Sequence, residues 1–218
     1  MRALLASFAV ALVLFAPASA HAQARAESAA AQHGVDVERI VSPSGIEAWL
    51  VSDSTVPIVV LRAYWRGGSA IEPAALAGVT GVMADMLTEG AGGMDANAFK
   101  ERLEELNMSV SFGAGSDGVA MSLATLSRNA DAAFEMARLA LHEPRFDAEP
   151  LERIKRQMLV GIRMRETNAG YLAYEALDDA LYPDHPYARR TSRESVAAIT
   201  RAALIERRAA LLNRAALQ

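Results

Sequence analysis

The chain is 218 residues long, with 22 basic and 26 acidic residues, a formal charge of −4 and no cysteine. The missing cysteines exclude a disulfide framework and any thiolate metal site. The acidic balance argues against nucleic acid or an anionic membrane surface as the partner.

Residues 1–24 read as a secretory signal peptide: Arg2 supplies the positive start, "ALLASFAVALVLFA" the apolar run, and Ala18-Ser19-Ala20 or Ala22-Gln23-Ala24 the small-x-small cleavage site. That run is shorter than the ~20 apolar residues of a spanning helix. No later stretch approaches that length, so a periplasmic or secreted mature chain is expected. Residues 25–34, "RAESAAAQHG", are small and polar and read as a flexible lead-in.

From Val35 the pattern changes. Two short apolar runs flank Ser42-Pro43-Ser44-Gly45, a turn composition, which predicts a β-hairpin. "PIVVLRAYWRGG" predicts a longer strand, rich in β-branched and aromatic residues, ending at Gly67-Gly68. Pro73 precedes a helix expected over roughly residues 74–89, with Gly90 as its stop. Within it Leu76, Val79, Val82, Met83, Met86 and Leu87 recur at three- and four-residue steps, the period of one buried stripe. The opposite stripe carries Gly81, Ala84, Asp85 and Thr88. That spacing suits metal ligands, but Gly81 and Ala84 have no side-chain donor.

A second helix is expected from the N-cap Asp95, with Phe99, Leu103 and Leu106 on its apolar face. Met108, Val110 and Phe112, then Val119, Met121 and Leu123, alternate with polar residues on either side of a glycine-rich turn containing Asp117-Gly118, an antiparallel hairpin. Helices follow over 128–142 (stripe Ala130, Phe134, Ala137, Leu141), 147–166 (Leu151, Ile154, Met158, Ile162) and "YLAYEALDDALY", then two short ones near 192–199 and 201–212. Antiparallel hairpins with helices grouped apart from them predict an α+β fold.

The chemistry-bearing residues are few. A zinc site built on protein ligands needs about three converging His, Asp or Glu side chains, commonly two on one helical turn, and no two of the histidines are spaced that way. His142 reads as a residue at a helix end, and His185 as a structural loop residue between Asp184 and Pro186. Asp85 and Glu89, at i and i+4, read first as a solvated pair. A set of Asp85, Glu89 and His185 as unconventional metal ligands stands as a remote alternative. No G-x-S-x-G elbow or phosphate-binding G-x-x-x-x-G-K-[ST] loop is present.

Taken in order, "GIEAWLVSDSTVPIVVLRAYWRGGSAIEP", "GVTGVMADMLTEGAG", "LEELNMSVSFGAGSDGVAMSL" and "YPDHPYARRTSRESVAAITRAAL" resemble the N-terminal half-domain of the insulinase/pitrilysin peptidases, the inverzincins, which include mitochondrial processing peptidase. The resemblance implies an antiparallel sheet covered by helices over residues 35–218, with a last strand of the half-domain and the whole C-terminal half-domain missing. Active members carry H-x-x-E-H on the first helix and a further glutamate ligand roughly seventy-five residues on. On this chain the first histidine falls on Gly81, the glutamate on Ala84, the second histidine on Asp85, and the distal glutamate near Val160 or Gly161. The resemblance thus implies no catalytic residue, no metal ligand set and no cofactor in this chain. It implies a zinc-bearing partner subunit, beside which the chain helps to hold a peptide substrate. The other reading is a periplasmic binding or scaffold module that keeps the fold without any peptidase role.

Overall fold

The computed structural model describes residues 36–218, in two compact units divided after Asp53. Residues 1–24, read as a signal peptide, residues 25–34, read as a lead-in, and His33 with them lie outside the described residues.

The described part of the first unit is the hairpin of β1 (Glu38–Val41) and β2 (Glu47–Leu50), paired antiparallel with Val41 opposite Glu47 and Glu38 opposite Leu50. Gly45 takes the left-handed conformation, at φ 81°, that closes the turn. Ser42 Oγ accepts the Ile46 amide at 2.9 Å. Arg39 grips Glu47 with two hydrogen bonds of 2.7 Å, and Trp49 Nε1 donates to the same carboxylate. These bonds, Arg39's above all, hold the Glu47 carboxyl at about 2. Because the pair is fully in solvent, it adds little to stability.

The second unit is built on a three-stranded antiparallel sheet in the order β3 (Ile58–Arg66), β5 (Gly118–Leu126), β4 (Ser109–Ala114). Odd-numbered β3 residues point into the molecule: Leu61 and Ala63 pack on the core and Trp65 is buried. Even-numbered ones, Ile58 to Arg66, face out, as the two-residue period of a strand requires. Val110, Phe112, Val119, Met121 and Leu123 complete the inner face.

Helices cover that face: α1 (Val79–Met86), α2 (Ala96–Glu105), α3 (Ala130–His142), α4 (Ala148–Glu166), α5 (Ala169–Leu181), α6 (Arg193–Ala198) and α7 (Arg201–Leu211). Side chains at four of their starts accept backbone amides, the expected Asp95 among them. Asp95 accepts the Ala98 amide, Asn168 that of Tyr171, Ser192 that of Ser195 and Thr200 that of Ala203. Fully buried Phe99, Phe146, Met83, Met86, Leu87 and Leu123 form the centre of the core, each stabilising the fold by roughly 1.5–3 kcal/mol. No described helix is long and apolar enough to cross a membrane.

Two expectations need correction. The helix placed over 74–89 is three pieces: 3₁₀ turns at Ser69–Ile71 and Ala74–Leu76, then α1. Gly78, at φ 97°, separates the second turn from α1 and serves as its N-cap. In α3 the buried stripe is Ala133, Met136, Ala137 and Ala140, while Phe134 is 43% exposed. The alanine face lets α3 lie close on β5, and the bulkier ring is left at the surface.

Candidate functional site

The site to test is the outer face of α1. The helix is enclosed by β4, α4 and α7, so most of its circumference is buried: Val79, Thr80, Val82, Met83, Ala84 and Met86. Ala84, expected on the bare stripe, is therefore a core residue at 2% exposure. What remains open is narrow. Gly81 is half-buried and Asp85 exposed, one turn apart. A Cβ built on Gly81 meets no heavy atom within 4 Å, so the space beside it is open.

Asp85 is the one ionisable side chain on that stripe. Partial desolvation, and secondarily the charge of Glu89, raises its carboxyl above the usual aspartate range. Glu89 itself is engaged elsewhere: Arg153 of α4 forms an ion pair with it at 2.5 Å. Val160, on α4, is 53% exposed, and the neighbouring Gly161 is half-buried. Neither glycine, alanine nor valine offers a donor atom, and a single carboxylate without imidazole partners holds zinc poorly. Among the described residues no three His, Asp or Glu side chains come together as a metal site. The residues present do not fit the catalytic zinc of an H-x-x-E-H helix.

His185 is placed as a loop residue. Its Nδ1 accepts the Tyr187 amide at 3.2 Å, capping the 3₁₀ turn Pro186–Ala188, and its ring packs edge-on against Tyr187 at 4.6 Å. Tyr187 in turn donates to Asp117 at 2.6 Å, tying this loop to the β4–β5 turn. The set Asp85, Glu89 and His185 is thus not assembled. His142 sits exposed at the end of α3.

The start of α1 is held by a buried network that composition and periodicity did not reveal. Glu72, 6% exposed, accepts the amides of Gly78 at 2.6 Å and Thr80 at 3.1 Å, and the Thr80 hydroxyl at 2.7 Å. Its carboxylate thereby satisfies orphan donors of the helix N-terminus and complements the dipole there. Arg207 of α7, 8% exposed, donates to Thr80 Oγ1 at 2.9 Å and to the Gly68 carbonyl at 2.6 Å. Burial lowers the Arg207 guanidinium below its ordinary value, against the nearby Glu72 charge. Ser195 Oγ donates to the Ala77 carbonyl at 2.8 Å, fixing α6 to the same corner. One sequence signal existed: Arg207 interrupts the buried stripe Leu204, Arg207, Leu211 of α7.

With this geometry in hand, comparison with known proteins is informative. Residues 48–195 match the family model described as Insulinase (peptidase family M16). The chain is 26% identical over 143 residues to "Non-peptidase homolog YmxG" of Helicobacter pylori, covering 65% of this chain and 33% of that protein. A crystal structure of a peptidase M16 inactive domain from Pseudomonas fluorescens superposes with a TM-score of 0.74 at 32% identity, over 80% of this chain and 43% of the other. Pitrilysin superposes at 0.70 with 18% identity, over 85% and 21%, a likeness of fold. The chain thus spans about a third of the curated relative and less than half of either solved structure. The α+β expectation, an antiparallel sheet covered by helices in the manner of an insulinase-type half-domain, agrees with these superpositions. With the family model matched over residues 48–195, more than half of its length, the chain belongs to the insulinase family, peptidase family M16, and its sequence contains no H-x-x-E-H.

Proposed function

We propose that this chain is a non-catalytic subunit of a periplasmic insulinase-family zinc peptidase, a half-domain over residues 35–218 that helps a zinc-bearing partner hold its peptide substrate. One observation carries the reading. The family's catalytic helix is kept in place by the buried network of Glu72, Thr80 and Arg207, while Gly81, Ala84, Asp85 and Val160 supply none of the imidazoles or the general base. The names of the Helicobacter pylori relative, a non-peptidase homologue, and of the Pseudomonas fluorescens inactive domain support a non-catalytic role. The signal-peptide pattern of residues 1–24 supports export.

The test is a native pull-down of the tagged mature chain from its own periplasm, with mass spectrometry of what co-elutes. A protein bearing H-x-x-E-H recovered in near-equal amount, with chelator-sensitive peptidase activity in the complex, is the expected result. Elution of the chain alone overturns the reading and leaves a binding module that has kept the fold.

A further inference from the structure

A cleft of about 290 Å³ opens where the C-terminal half of α4, the start of α5 and the segment 190–194 meet. It lies within the second unit and shares no residue with the open stripe of α1. Ion pairs hold its walls: Arg190 reaches Asp179 at 2.8 Å and Glu175 at 3.2 Å, and Arg193 pairs with Glu166. Two charged lining residues stay out of this network, since neither Arg165 nor Glu194 forms an ion pair among the described residues, with each other or with any other group. Half-buried Arg165 is held by neutral partners only. Its Nε donates to the Gly161 carbonyl at 3.3 Å, its Nη1 donates to the Tyr171 hydroxyl at 2.8 Å, and the guanidinium lies 5.2 Å from the centre of the Tyr171 ring. Its Nη2 has no acceptor among the described residues. The charge is therefore fixed in place without being neutralised. Buried Ile162 and exposed Leu172 supply the apolar surface of the cleft.

We propose that this cleft binds the zwitterion of a free α-amino acid with an apolar side chain, its carboxylate on Arg165, its ammonium on Glu194 and its side chain on Ile162 and Leu172. Charge selects the ligand. A guanidinium fork positioned by neutral partners matches a carboxylate through charge-assisted hydrogen bonds, and Glu194 supplies the opposite charge that an ammonium group needs. A simple anion leaves Glu194 as an unmatched like charge beside it, and a simple cation meets Arg165 in the same way. Size selects as well. At about 290 Å³ the cleft is at the lower end of small-molecule pockets, which run from roughly 300 to 1,000 Å³, so a single amino acid is the scale of its occupant. This site goes beyond the role proposed above, because it needs neither a peptidase partner nor a peptide.

The test is titration calorimetry of the purified chain with L-leucine. Saturable binding with a dissociation constant below about 1 mM is expected. Leucinamide lacks the carboxylate, N-acetylleucine the ammonium and glycine the side chain, and each is expected to bind at least about tenfold more weakly. An N-terminally blocked peptide ending in leucine offers only the carboxylate and the side chain, and it behaves as N-acetylleucine does. These comparisons use the unmodified protein and do not depend on the folding of any variant. Arg165→Met and Glu194→Gln each weaken leucine binding at least about tenfold, whereas Arg163→Met, at an exposed arginine of the same helix outside the cleft, leaves it unchanged. Absence of saturable binding, equal affinity for leucine and leucinamide, indifference to Arg165→Met, or sensitivity to Arg163→Met overturns the proposal. So does equal affinity for the blocked peptide together with indifference to Glu194→Gln, because it assigns the cleft to the C-terminus of a peptide.

Discussion

Glu72 and Arg207 are joined through a single hydroxyl: Thr80 Oγ1 donates to the Glu72 carboxylate at 2.7 Å and accepts from Arg207 Nε at 2.9 Å. The bridge connects the loop before α1, the first turn of α1 and the last helix. It anchors α1 at the end away from Asp85.

Thr80→Val deletes the bridge and leaves both buried partners short of a bond. A loss of about 1–3 kcal/mol is expected, or several degrees in melting temperature for a domain of this size. Arg207→Met is expected to cost about 1–3 kcal/mol as well, because the Gly68 carbonyl and the Thr80 hydroxyl lose their buried donor and Glu72 loses the nearby positive charge. Thermal denaturation of the two single variants and the double variant checks this, and the double loss falls well short of the sum because the residues act through one network.

Asp85 weakens the fold at neutral pH. Its carboxyl titrates higher in the folded chain than in the unfolded one, so the folded state favours the protonated form. That contribution is fully present below the unfolded pKa, about 3.9, and is lost as pH rises through the raised folded value. Asp85→Asn is therefore expected to raise the melting temperature at pH 7 and to leave it unchanged at pH 3. Solvent screening at this exposed position limits the gain to about 0.5 kcal/mol. An equal gain at both pH values contradicts the assignment.

Gly81 and Gly78 respond in opposite directions to the same change. Gly81 lies inside α1 with open space where a Cβ would go, so Gly81→Ala is expected to stabilise by about 0.5–1 kcal/mol. At Gly78 the backbone is at φ 97° and an added Cβ falls 2.9 Å from the Thr191 side chain. Gly78→Ala is expected to destabilise by more than about 1 kcal/mol. Denaturant midpoints of the two variants measure both.

Restoring two imidazoles tests whether the helix still presents ligands outward. Gly81→His with Asp85→His places two histidines one turn apart on the open stripe. The double variant is expected to take up zinc measurably by calorimetry, and adding Val160→Glu is expected to tighten the binding. Ala84→Glu instead buries a carboxylate at a position 2% exposed and is expected to lower the melting temperature.

Much of the framework is legible in the residues because its signals are local. The hairpin at Ser42–Gly45, the β4–β5 pair and the cap at Asp95 each declare themselves within a few positions, whereas the caps at Asn168, Ser192 and Thr200 emerge only from the structure. The segment 69–78 is not legible in this way, since Pro73 and Gly78 break the apolar period into short turns. The burial of Ala84 depends on β4, α4 and α7 closing around α1, which a helical wheel does not contain. The network of Glu72, Thr80 and Arg207 spans 127 residues between its last two members, so only Arg207's place on an apolar stripe hinted at it.

The most direct test of the account is the zinc content of the purified mature chain after equilibrium dialysis against zinc, with peptide cleavage assayed in parallel. The account predicts well under one equivalent of bound zinc and no chelator-sensitive cleavage. One zinc per chain that is lost in Asp85→Ala, together with cleavage that a chelator abolishes, would show that this face of α1 is a metal site and that the chain is itself a peptidase.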